Sequence, residues 1–346
     1  MRWITVWTRA VVVPASRRAD AATLGAGLFA AVAFGPTAMR PHDLTGLALH
    51  NPGVGAVLVA TWLLIFVPTA RLIVRPPVGY LYSLPGDRRA ARAVAAVALV
   101  LLQLPWVLLW LVGEGAPGAL VVLATTLAAA GIARVPAPPL RPTTPAWRHP
   151  LAALAGVHLR ALVRRAGDAG ISRGAGLALL AGAAAGLLVR NNHLTGTPAG
   201  VLAAAVIAIA VVPAQIGTAL VTLGAHRDTA WLAAATGISR GARVTALASA
   251  LAAVHLAAAA LAALAAMAVA GPSPWLLVLT LATALGTALG EARVLLASEA
   301  SPTAPTRIVI GAIASAGAAM ICLATLGAAG PLAMIALGAA ALLGAA

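Results

Sequence analysis

"VTALASALAAVHLAAAALAALAAMAVA", residues 244–270, decides the fold. The run holds no charged side chain and is longer than the roughly 20 apolar residues with which a helix crosses a hydrocarbon layer of about 30 Å. A helix that is apolar on every side has no face to offer water, so it belongs in a membrane or deep inside a large core. Nine similar runs lie along the chain, near 22–39, 53–74, 93–113, 117–134, 174–190, 199–223, 274–292, 308–328 and 331–346. With 62% hydrophobic and 9% charged residues, the 346-residue chain has too little polar surface to keep a soluble globule wet. The expected fold is all-α, a polytopic membrane helix bundle of about ten transmembrane helices.

All 23 basic residues are arginine. They are dealt out between the apolar runs, where a nucleic-acid binder would cluster them on one solvated face, so no nucleic acid is expected as a partner. Basic residues are held on the cytoplasmic side during insertion. With the N-terminus inside, only Arg40 and Arg190 fall outside and 21 arginines fall inside. This asymmetry predicts a multi-pass protein of the cell membrane with both termini cytoplasmic. The single cysteine, Cys322, lies in an apolar run and reads as a small core residue.

The external links are short, whereas the segment from 135 to 173 is long. Its start, "PAPPLRPTTPAWRHP", contains too many prolines for a helix. It reads as a cytoplasmic linker, 135–150, between a first membrane unit, 1–134, and a second, 151–346. Residues 151–167 alternate leucines with Arg160 and Arg164 at helical spacing and predict a helix in the membrane interface. Residues 1–18 form a weaker version of the same pattern.

A charged elbow in the first unit, "LYSLPGDRRAARAV" at 81–94, returns 151 residues later as "LAAATGISRGARVT" at 232–245. The offset pairs Tyr80 with Trp231, Gly86 with Gly237, Arg89 with Arg240 and Arg92 with Arg243. Four spans separate the two elbows, so they imply a parallel four-span repeat. In each elbow a glycine permits the tight turn, and Asp87 or Ser239 is placed to cap the next helix. The positive-inside rule alone accounts for the arginines. The turns at Leu84, Pro85 and Gly86 and at Gly237 are left as docking candidates.

Here the chain resembles the permease subunits of ABC-2 type exporters. Residues 151–346 follow that family's order: an interfacial helix, six spans, and "HRDTAWLAAATGISRGARV" at 226–244 in the loop between the second and third spans. "YLYSLPGDRRAARAV" is a closer version of the loop in the first unit, although that unit has four spans where the family has six. The resemblance implies that these loops contact a separate ATP-binding cassette subunit through Leu84, Pro85, Gly86, Arg89 and Arg92, and through Trp231, Gly237, Arg240 and Arg243. The chain itself has no lysine for a P-loop, so ATP would be bound and hydrolysed on that partner. On this reading the chain is no enzyme, holds no cofactor and exports a hydrophobic or amphipathic compound. A homodimer within the lipid bilayer is a compatible assembly.

Within the spans, Gln103, Gln215 and His255 are the polar side chains that should point inward. They join helices by hydrogen bonds or line a substrate path. Glu291 and Arg293 are expected at a cytoplasmic helix end, where they can reach the headgroups. No acid is then expected at the membrane centre, which counts against a proton-coupled carrier. A ten-span secondary carrier of the drug/metabolite type and a membrane-embedded lipid-modifying enzyme are the rival readings. The first calls for an inverted five-span repeat, and the second for acids and histidines converging on one membrane face, where only dispersed candidates are legible. The seven histidines suggest no metal site, and Asn191, Asn192 and His193 read as a polar external loop. Trp106, Trp110 and Trp275 suit an aromatic belt, while Pro68, Pro105 and Pro213 are placed to kink their helices.

Overall fold

The computed structural model describes residues 2–15, 34, 39–74, 88–135, 150–301 and 303–344. Among them every regular element is helical. Eight helical segments among the described residues are long and apolar enough to cross a membrane: Pro52–Val74, Arg89–Glu114, Ala116–Ala133, Gly174–Asn191, Gly196–Ala214, Arg240–Ala270, Pro274–Ala297 and Ala304–Leu343. The chain is a multi-pass membrane protein. Apart from residues 34 and 39 the run at 22–39 lies outside the described residues, as do the linker at 135–150 except its two end residues and the elbow residues Leu84, Pro85 and Gly86. The chain divides into two compact units, Met1–Pro138 and Pro139–Ala346.

In the first unit, α1 (Arg2–Trp7) runs into a π-helical turn, Thr8–Val12. The short link expected between the first two spans contains a helix, α2 (Pro41–His50), which Asp43 begins by accepting from the Arg40 N–H. Asn51 then caps α3 (Pro52–Val74) by accepting from the Gly53 and Val54 N–H groups. α4 (Arg88–Glu114) and α5 (Ala116–Arg134) follow among the described residues. Thr45 of α2 donates to Glu114 Oε1 at 2.8 Å, tying α2 to the end of α4.

Trp106 and Trp110 depart from the belt expectation. Both are buried. Trp106 stacks on Trp62 at 5.3 Å between ring centroids, meets Trp110 edge to face, and donates from Nε1 to Thr125 Oγ1 at 2.9 Å. An indole with a hydroxyl acceptor in reach is stable inside a bundle and does not need the headgroup region. Trp275 is exposed at the start of the helix Pro274–Ala297.

The second unit begins with α6 (Pro150–Asn191), one uninterrupted helix in which the expected interfacial segment and the following span are joined. At 1.5 Å per residue it is about 63 Å long. It is followed by α7 (Gly196–Ala214), α8 (Ile216–Asp228), α9 (Ala230–Ala235), α10 (Arg240–Ala270), α11 (Pro274–Ala297), α12 (Ala304–Leu326) and α13 (Gly330–Leu343). The run read as a single span, 199–223, is broken at Gln215 between α7 and α8, two residues after Pro213 removes a backbone donor. The last two expected spans are α12 and the 14-residue α13, joined by a 3-10 turn.

Small residues set the packing. Cβ atoms placed on Gly182 and Gly186 would meet the carbonyl oxygens of Ala262 and Ala266, so α6 and α10 lie side by side, parallel and in close approach. Gly200 against Trp275 brings α7 beside α11 in the same way, and Gly286 against Met334 brings α11 beside α13. Ala178, Ala185, Ala203, Ala262 and Ala266, all fully buried, belong to one core cluster that joins α6, α7 and α10. Between membrane helices dispersion from close contact replaces the hydrophobic drive, and alanine and glycine permit that contact.

Candidate functional site

The second unit holds two polar clusters, one at the rim formed by the start of α10 and the end of α11, the other inside the bundle. At the rim, Gly237 has φ +69°, a left-handed conformation that suits glycine, and turns the chain between α9 and α10. Ser239 caps α10 by accepting from the Ala242 N–H at 3.2 Å. The six residues of α9 present Trp231, 70% exposed, and Leu232 outward, while Ala233 is buried. Arg240 is exposed on the first turn of α10.

Behind this hairpin the Arg243 Nη2 group, with two hydrogens to give, lies 3.2 Å from Glu299 Oε1 and 3.3 Å from His226 Nε2. His226 is buried and stacks on His158 of α6. Arg227 donates to the Ser298 carbonyl at 2.9 Å, a second tie from α8 to the end of α11. Burial lowers the pKa of His226 to about 4, with Glu299 opposing the shift and Arg243 and His158 reinforcing it. A neutral His226 can accept the Arg243 hydrogen bond, whereas an imidazolium would repel it. Burial likewise lowers the pKa of His158, whose Nδ1 lies 2.8 Å from the Leu154 carbonyl. Four side chains from α6, α8, α10 and the α11–α12 link thus meet at one point, although the sequence shows them only as dispersed candidates.

Inside the bundle, His255 Nε2 lies 3.1 Å from Glu291 Oε2, and both side chains are almost completely buried. His255 also lines a cavity of about 10 Å³ where α7, α10 and α11 meet, close to the size of a single water site. Thr280, Thr283 and Thr287 line it from α11, and Ala204, Ala208 and Val211 from α7. Thr283 and Thr287 donate to the backbone of their own helix. Thr280 Oγ1 and Glu291 Oε1 are buried and have no hydrogen-bond partner.

The Glu291 finding corrects the sequence reading. α11 does not stop at 292 but continues to Ala297, which draws Glu291 into the bundle against His255 and leaves Arg293 exposed. The case against a proton-coupled carrier rested on the lack of an acid inside the bundle, and Glu291 is a buried one.

The expected path residues do not come together. Gln103 accepts from Thr126 Oγ1 at 3.0 Å and joins α4 to α5 within the first unit. Gln215 is buried at the α7–α8 break, and His255 alone faces the cavity. Of the first elbow, Arg89 and Arg92 are exposed at the start of α4. Asn191, Asn192 and His193 are exposed at the end of α6 and the turn after it. Among the described residues no group of three metal-ligating side chains is found. Glu291 did have a sequence signal: Thr280, Thr283, Thr287 and Glu291 recur at spacings of 3, 4 and 4, one face of a helix. His158, His226 and Glu299 had none.

Comparison with protein families, with curated proteins and with solved structures returns no match.

Proposed function

We propose that the chain is the membrane-embedded permease subunit of an exporter that moves a hydrophobic or amphipathic compound across the cell membrane while a separate subunit hydrolyses ATP. The observation that carries this reading is α9. A six-residue helix between two long helices turns a tryptophan and a leucine to solvent while the residues behind it are locked into a hydrogen-bonded rim. An exposed aromatic on a braced element is the form of an interface anchor, and an ATPase groove is the occupant this proposal assigns to it. Force applied to α9 would pass through the Arg243, His226 and Glu299 contacts to α10, α8 and the end of α11, and so to the helices around the cavity.

The test is site-specific photocrosslinking from position 231 in native membranes. A crosslink to a P-loop ATPase, together with stimulation of its ATP hydrolysis by the chain, is expected. If position 231 crosslinks only to lipid and the purified chain brings no ATPase with it, the reading fails in favour of a secondary carrier or a lipid-modifying enzyme.

A further inference from the structure

We propose that His255 and Glu291 form a proton-binding site within the membrane, reached through the threonine-lined face of α11. The site takes one proton as its ligand. It requires that the chain cross the membrane and does not depend on a docked ATPase.

Three observations lead there. First, the pair is buried on all sides, so its net charge matters more than it would in water. With one proton between Nε2 and Oε2 the pair is neutral overall. Losing that proton leaves an anion in an apolar surround, and gaining a second leaves a cation. Both are costly unless water or a structural change accompanies them, which links protonation to the hydration of the cavity. Second, the two unpartnered oxygens, Thr280 Oγ1 and Glu291 Oε1, lie on one helical face about 16 Å apart along α11. The hydroxyls of Thr283 and Thr287 lie between them and, while donating to the backbone, still have lone pairs with which to accept. A water in the cavity would give this row of hydroxyls a mobile member. Third, the cavity is too small for an organic cargo and has too few ligands for a metal.

Few charges surround the pair. α7 and α13 bring no ionisable side chain, and α6 brings none between Arg173 and Arg190. His158, Arg160 and Arg164 lie in the first half of α6. His226, Arg227 and Asp228 close the far end of α8, and His226 and Arg227 are engaged at the rim. α12 brings Cys322 and an exposed Arg307, and α11 itself an exposed Arg293. Arg240 and Arg243 lie three to four turns before His255 on α10.

The test is infrared difference spectroscopy of the full chain in liposomes, carrying carboxyl-labelled glutamate, as the pH is stepped from about 4 to about 10. A pH-responsive carboxyl signal is expected in the wild type, lost in E291Q and altered in H255Q. Should E291Q not fold, E291D, prepared with carboxyl-labelled aspartate, must retain the signal at an altered frequency. Identical wild-type and E291Q spectra, or an E291D spectrum equal to the wild type, overturn the proposal. A Glu291 signal indifferent to H255Q overturns the paired site. No ATPase is present in the liposomes, so a failure of the docking reading leaves this outcome unchanged.

Discussion

The His158 ring stacks on the His226 ring with centroids 5.6 Å apart and planes inclined by 29°. That contact joins the first half of α6 to the end of α8. It also places two basic rings against each other beside Arg243, where neither can take up a proton without meeting a positive neighbour. The pKa of each is lowered, that of His226 to about 4, chiefly because the rings are buried.

Acidification should therefore loosen the rim. Between the ordinary histidine value of 6.5 and about 4, an opened rim binds more protons than a closed one, so stability must fall as pH falls. The contribution is fully present above about 6.5 and is lost on the way down to about 4. Hydrogen exchange over residues 216–243 should accelerate across that window, and the H158Q/H226Q double variant should show a flat profile.

Replacing Trp231 by alanine should leave the fold intact, because the side chain is 70% exposed. If α9 is an anchor, W231A weakens partner binding by about 10- to 100-fold, the usual range for an aromatic hot spot. Titrating the purified ATPase against wild type and W231A reads the difference.

Gly182→Val should destabilise the second unit by about 1–3 kcal/mol or more, since the added atoms meet the Ala262 backbone, which cannot move aside. Gly174→Ala in the same helix has open space around it and should be neutral or stabilise by about 0.4–1 kcal/mol. Thermal unfolding in detergent, compared for the two variants, separates close helix approach from glycine content.

Thr125→Val removes the acceptor of the Trp106 indole and leaves a buried donor unpartnered, at about 1–3 kcal/mol. Thr125→Ser keeps the oxygen and should recover most of that loss. Tryptophan emission from the Trp62, Trp106 and Trp110 cluster reports the change directly.

The apolar runs made the fold class legible, because a membrane helix declares itself through length and composition alone. The Gly237 turn and the Ser239 cap were legible too, since local backbone chemistry decides them. Glu291 was misplaced because its charge was taken as the end of a helix, whereas His255 made the interior tolerable for it. The burial of Trp106 was not legible for a related reason: its indole finds an acceptor, Thr125, only through the packing of α4 against α5, while Trp110 is buried with its Nε1 unpartnered. The rim cluster was illegible because His158, His226, Arg243 and Glu299 come from four segments that only tertiary packing unites.

One continuous helix, α6, carries both the rim histidine His158 and the glycines that press against α10. It is about 63 Å long, so a tilt of about 5° about one end, if carried along the whole helix, sweeps the other through about 5 Å. Whatever grips the proline end holds a lever on the buried half.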